Sequence, residues 1–153
     1  MSLDAVLLEV KAVLRTVDGL RSVPDEPPEQ INAFPVCLVY PGSGRMQLGP
    51  ARGPNGLPRC WEFHTVTIDI YQNRSDIARD LLTVRPFSRS VPAALIAAYA
   101  TDRFNGTVAL LGDPQLTSGT WPVRYALIMP EPGGINAVGY RFELDVSFQE
   151  DIT

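Results

Sequence analysis

The chain has 153 residues, 45% of them apolar and 20% charged, with 13 basic against 17 acidic side chains. That length suits one domain with its own core, and the composition excludes a disordered or collagen-like chain. A formal net charge of −4 gives no general pull toward nucleic acid or an anionic membrane, and the longest nearly unbroken apolar stretch, Val91 to Ala100, is about half a membrane span.

Asp4 stands where a secretory signal needs positive charge, which argues against secretion, and two cysteines point to reduced thiols inside a cell. Twelve of the 13 basic residues are arginine, whose planar fork suits interfaces with carboxylates. Charge is uneven along the chain. Residues 1–30 hold six acids, 31–60 hold none but carry Arg45, Arg52 and Arg59, and the stretch from Tyr125 onward holds five acids against Arg141. Such asymmetry suits contacts between copies, a basic segment of one meeting an acidic face of another; scattered solvated charge is the plainer alternative.

Leu3, Val6, Leu7, Val10, Val13, Leu14 and Val17 recur at three- and four-residue intervals and predict an amphipathic helix, capped by Ser2 and stopped at Gly19. Residues 22–35 contain four prolines and three acids and read as an extended connection. Val36–Tyr40 reads as a short strand covered on both faces. Residues 41–60 hold nine Gly or Pro and no periodicity, so they read as a long arm between two strands. Its apolar residues Met46, Leu48 and Leu57 have no evident core to enter, a feature of arms that order against a partner. Trp61–Gln72 alternates, with Glu62, His64, Val66, Ile68 and Ile70 on one face.

Ser75 or Asp76 is placed to cap a short helix that runs to Val84 and is ended by Pro86. A second, alanine-rich helix is expected from near Ser90, with Pro92 in its first turn, to about Arg103, ended by Asn105-Gly106. The last third reads as strands at Thr107–Leu111, Gln115–Thr117, Val123–Met129 and Tyr140–Gln149, the last alternating most clearly. Gly112-Asp113-Pro114, Ser118-Gly119 and Pro132-Gly133-Gly134 supply turns. The expected fold is one α+β domain over residues 1–153: a mostly antiparallel sheet, two or three helices on one face, and an inter-strand arm at 41–60.

Catalytic constellations are sparse. His64 is the sole histidine, no G-x-S-x-G turn exists, and Cys37 and Cys60 lack ligand-like spacing. Gly42-Ser43-Gly44 follows a strand, but Gln47 stands where the third glycine of a dinucleotide loop belongs, and no helix follows. No cofactor or metal is expected. Glu143 and Asp145 lie two apart on one strand face; an acidic pair repeated around a ring's channel would repel DNA phosphates.

The order of these elements resembles the lambda-type tail terminator (tail completion) family of long-tailed bacteriophages. The resemblance is carried by the N-terminal amphipathic helix, the Phe34-Pro35-Val36…Tyr40-Pro41-Gly42 strand exit and the long arm. It continues through the Trp61–Gln72 strand, the middle helices and the Gly139–Val146 strand, so it spans nearly the whole chain. It implies a non-enzymatic virion protein, assembled in the host cytoplasm and ending at the head-proximal end of the tail. Its partners would be further copies of itself in a hexameric ring, the tail-tube protein and the head's connector. DNA would only pass through as cargo, and no membrane is involved. On this reading Arg45, Met46, Gln47, Leu48, Arg52 and Arg59 of the arm form the partner and ring interface, and Glu143 and Asp145 face the channel. The alternatives are a phage neck or head-completion protein, and a small intracellular enzyme or ligand-binding module using His64, Cys37 or Cys60.

Overall fold

A computed structural model describes residues 2–26, 28, 31–52, 56–73, 76–112, 121–129 and 137–151. Helix α1 (Leu3–Leu14) begins as its sequence dictates: the Ser2 hydroxyl accepts from the Ala5 N–H at 3.2 Å, filling one of the orphan donors of the first turn. Its stripe Val6, Val10 and Leu14 is fully buried. On its outer side Lys11 Nζ donates to the Asp25 carbonyl at 2.6 Å, and Arg15 donates to the Val23 carbonyl at 2.9 Å and to the Asp25 carboxylate at 2.7 Å. The proline-rich connection is thereby tied to the helix it leaves.

Strands β1 (Val36–Arg52) and β2 (Pro58–Asn73) form a long antiparallel hairpin. After α2 (Ile77–Val84) and α3 (Phe87–Gly106), three more strands follow: β3 (Leu110–Leu111), β4 (Val123–Ile128) and β5 (Ala137–Asp151). The sheet runs β1-β2-β5, and the far side of β5 is shared end to end by β3, opposite Val146 and Ser147, and β4, opposite Gly139 to Leu144. Every pairing between these strands is antiparallel, and the helices lie on one face. This is the α+β architecture expected.

The core forms where that face meets the helices. Cys37 and Val39 of β1, Val66, Ile68 and Ile70 of β2, and Phe142, Leu144, Val146 and Phe148 of β5 pack against Val6, Val10 and Leu14 of α1, Val84 of α2, and Phe87, Val91 and Leu95 of α3. Period-2 patterns on the strands and the 3.6 period of α1 thus converge on one apolar layer.

Three expectations need correction. The segment 41–60 is strand over 41–52 and 58–60, with β5 accompanying β2 out to the Arg59 level. Its glycines mark irregularities in a ladder, which is why no period shows. The β1–β2 register shifts between Pro41 and Gly44, and a Cβ on Gly42 would meet the Thr65 carbonyl oxygen at 2.8 Å. Pro41 is tolerated because β1 is an edge strand, and Pro58 because it is the first residue of β2.

Second, α3 starts at Phe87, so Pro92 falls inside it and removes the bond to the Ser88 carbonyl. The helix ends in a left-handed turn: Arg103, Phe104 and Asn105 have φ of 55, 54 and 55°, and Gly106 has 76°. Three successive non-glycine residues there cost about 1–2 kcal/mol each. Burial of Phe104, an Asp102 carboxylate accepting from the Asn105 N–H at 3.0 Å, and Thr107 Oγ1 donating to the Phe104 carbonyl at 2.7 Å hold the turn. Third, β3 is two residues long, because Thr107 closes that turn instead of starting a strand. Asp76 caps α2; Ser75, Gln115–Thr117 and the turns at 113–114, 118–119 and 132–134 lie outside the described residues.

Candidate assembly surfaces

Alternation along the hairpin sorts the arm's side chains. Met46 and Leu48 lie opposite Glu62 and Cys60 in register, on the helix side of the sheet; Arg45 and Gln47 lie opposite Phe63 and Trp61, on the open side. Arg45 stacks its guanidinium over the Phe63 ring, 4.3 Å from the centroid. Arg52 sits opposite Pro58, and Arg59 opposite Asp151 of β5. Met46 and Leu48 are 62% and 65% exposed, and Leu57 near the tip is exposed as well. The structure thus gathers the expected interface residues on one ribbon, with the apolar pair on one face and Arg45 with Gln47 on the other.

The opposite edge of the sheet carries a second apolar strip. Tyr125 and Leu127 of β4 are 54% and 47% exposed, and they are flanked by exposed Trp121 and Met129. Register places Tyr125 opposite Phe142 and Leu127 opposite Tyr140, hence on the helix side, and Tyr125 makes an edge contact with Tyr140 at 5.6 Å between centroids. Among the described residues no helix covers this strip. Its signal in the sequence is the every-other-residue run Trp121, Val123, Tyr125, Leu127, Met129.

The open face of the sheet is polar and tightly paired. Asp69, 2% exposed, accepts from Arg141 Nε at 2.8 Å and Nη2 at 3.0 Å, from Tyr71 at 3.1 Å and from Tyr40 at 2.5 Å. Two parallel bonds from one guanidinium plus two phenols satisfy a carboxylate that burial alone would disfavour. In return the Asp69 carboxylate raises the pKa of Arg141. Sequence reasoning missed this site, although a lone acid between Ile68 and Ile70 is a signal for a paired charge.

A second network joins β4 to β5. Arg124 donates through Nη1 to Asp145 at 2.5 Å and through Nη2 to Glu143 at 3.0 Å, while Thr65 donates to Asp145 at 2.8 Å. Glu143 and Asp145 are therefore neighbours on the open face, as their spacing predicts. They are not a free acidic pair: one guanidinium bridges both. Between the networks lies an open cavity of about 300 Å³ lined by Arg124, Ala126, Ile128, Arg141 and Glu143.

The residues an enzyme reading would use are embedded in structure. His64 stacks on Phe148 with centroids 5.6 Å apart, and its Nε2 lies 3.1 Å from Glu62 Oε1. Burial pushes the Cys37 thiol up to about 12, with the Asp69 charge adding to the rise. Cys60 is buried with Sγ 3.6 Å from the Trp61 carbonyl oxygen. Beside them, Glu150 is held above the usual carboxyl range by hydrogen bonding with Glu62. Among the described residues, no three His, Cys, Asp or Glu side chains are placed to hold a metal ion, and no helix is long and apolar enough to cross a membrane.

Compared with protein-family models and with curated proteins, the chain matches none.

Proposed function

We propose that this protein is a structural component of a long-tailed phage virion that assembles as a ring, with six copies, on the head-proximal end of the tail tube. There it stops tube polymerisation and presents a surface to the head's connector. The observation that carries the reading is the hairpin of β1 and β2. It extends an otherwise well-packed domain into a ribbon whose Met46 and Leu48 are left in water, which is what an assembly arm requires and a monomer has no use for. The order of elements, which resembles that of the tail terminator family, supports the same reading. Function on this view lies in surfaces, with no cofactor and no bond-making on a substrate.

The open face supports the expectation of a DNA-tolerant channel in a modified form. With helices outward, the central wall of each copy would be Asp69, Glu143 and Asp145 interlocked with Arg124 and Arg141. Within these two networks three carboxylates against two guanidinium groups leave one net negative charge, and both arginines already hold a carboxylate. Such a wall neither traps counter-ions nor grips phosphates.

The test is tail completion. Without the gene, tube lengths should become irregular and heads should stay unjoined. The purified protein should bind tube ends, seen by negative-stain microscopy. Replacing Arg45, Arg52 and Arg59 together by Glu should abolish that binding and leave the far-ultraviolet circular dichroism unchanged. Tails of normal length and joined heads in the gene's absence would remove the proposal; binding to portal or adaptor rings but not to tube ends would replace it by a neck or head-completion role.

A further inference from the structure

The two apolar strips sit on the two opposite open edges of one sheet and on the same side of it. Among the described residues β4 pairs only with β5, and β1 beyond Cys37 pairs only with β2. Because the sheet is four strands wide at β4 and wholly antiparallel, β1 and β4 run in opposite directions. A second copy related by rotation, laid edge to edge, would therefore bring its β1 alongside β4 as one more antiparallel neighbour, with apolar side chains against apolar side chains. Charge also differs between the arm and the last strands. Residues 31–61 carry three arginines and no acid, whereas residues 121–151 carry five acids against two arginines. Glu143 and Asp145, the acids opposite and beside β4, are already held by Arg124; the receiving surface has to be something else on that edge.

We infer that the occupant of the β4 edge is the arm of the next copy: Met46 and Leu48 of one chain pack beside Tyr125 and Leu127 of another, in a head-to-tail interface that repeats. This deepens the ring reading and rests on its claim that copies of this chain associate. Two different patches on each chain make the contact heterologous, so that it propagates until rotation closes it. The strips lie at different heights. Leu48 is level with Glu150 through Cys60, and Leu127 is level with Tyr140, so the strips are offset by about ten residues, or roughly 33 Å at 3.3 Å per residue. Strands therefore tilt away from the ring axis, as closure of any sheet into a barrel demands. Apolar packing supplies the attraction, and the antiparallel direction of the two edges sets the orientation.

The experiment uses two variants of the full chain, Leu127→Glu, and Met46→Lys with Leu48→Lys. Sedimentation velocity is run at concentrations up to about 1 mM. The native chain should associate reversibly beyond a dimer, and each variant alone should stay monomeric with native circular dichroism. An equimolar mixture of the two should associate again, because each edge carrying Leu127→Glu then receives a lysine arm and each native edge receives a native arm. A strictly monomeric native chain, variants that associate like it, a mixture that stays monomeric, or association that stops at a symmetric dimer would each overturn the inference. Should a variant lose its fold, a Met46→Cys chain mixed in equal amount with a Leu127→Cys chain takes its place, Met46 lying opposite Glu62 and not Cys60: oxidation should yield the mixed covalent dimer in far more than twofold excess over either homodimer, and the twofold excess that random pairing gives would overturn the inference. None of these readouts involves tails, so a failure here leaves the tube-capping proposal to its own test.

Discussion

The same two strands behave differently along their length. Near the helices, β1 and β2 bury Cys37, Val39, Val66, Ile68 and Ile70; toward the tip they leave Met46 and Leu48 in water while keeping their ladder. The inner half is held by side-chain burial, the outer half by backbone pairing with β5 alongside. The exposed side chains on the arm can therefore vary at little cost to the fold, which leaves them open to demands from partners. The largest effect is expected from Phe142→Ala, which opens a cavity beneath Tyr125 and Tyr140 in the buried half. Loss of stability should be about 3–5 kcal/mol, read by urea denaturation, whereas Leu48→Ala should stay within about 0.5 kcal/mol. Equal losses at the two positions would mean the arm is part of the core after all.

The open face adds a second contrast, between two ion networks of similar make-up. Asp69 is enclosed by Arg141, Tyr40 and Tyr71, while Glu143 at the β4 edge is nearly half exposed. Asp69→Ala strands one half-exposed guanidinium and two phenols, so it should cost about 2 kcal/mol, below the range for a fully buried pair. Glu143→Ala should cost well under about 1 kcal/mol, the usual worth of an exposed pair. Denaturation of both variants in parallel checks the ordering, and inversion would place the structural centre of this face at Arg124 instead.

Much of this fold can be read from periodicity because burial wrote it. The stripe on α1, the alternation through Val66, Ile68 and Ile70, and that from Tyr140 to Phe148 each record one buried face. The arm's strands cannot be read that way. Exposed pairing leaves no apolar period, and its glycines serve close approach and register shifts that only the partner strand explains. Likewise Arg124 and Arg141 lie far along the chain from Thr65 and Asp69, and nothing local announces that the antiparallel register will bring them together. Met46 and Leu48 of the arm are legible as apolar groups without a core; the exposed strip on β4 is visible as alternation but not as an edge. Edges are a property of the whole sheet.

The gentlest probe of the two networks is alkaline titration, since it leaves the chain intact. Burial, then the hydrogen bond to Asp69 and its charge, push the Tyr40 phenol from its usual 10 up to about 12, and burial with the Asp69 charge raises Tyr71 as well. The fold thus favours the protonated phenols. Their contribution is intact below pH 10, where the unfolded chain also keeps its protons, and is lost as pH rises from 10 through about 12. Absorbance at about 295 nm should show a late-ionising fraction of the tyrosines that Tyr40→Phe reduces. Asp69→Asn should bring the late phase down toward pH 10, because it removes the charge that opposes the phenolate. Glu143→Gln should leave it in place, since no tyrosine bonds to that carboxylate among the described residues. A late phase that ignores Asp69 would mean burial alone protects these phenols, and would make the Asp69 network a consequence of the packing on this face and not its cause.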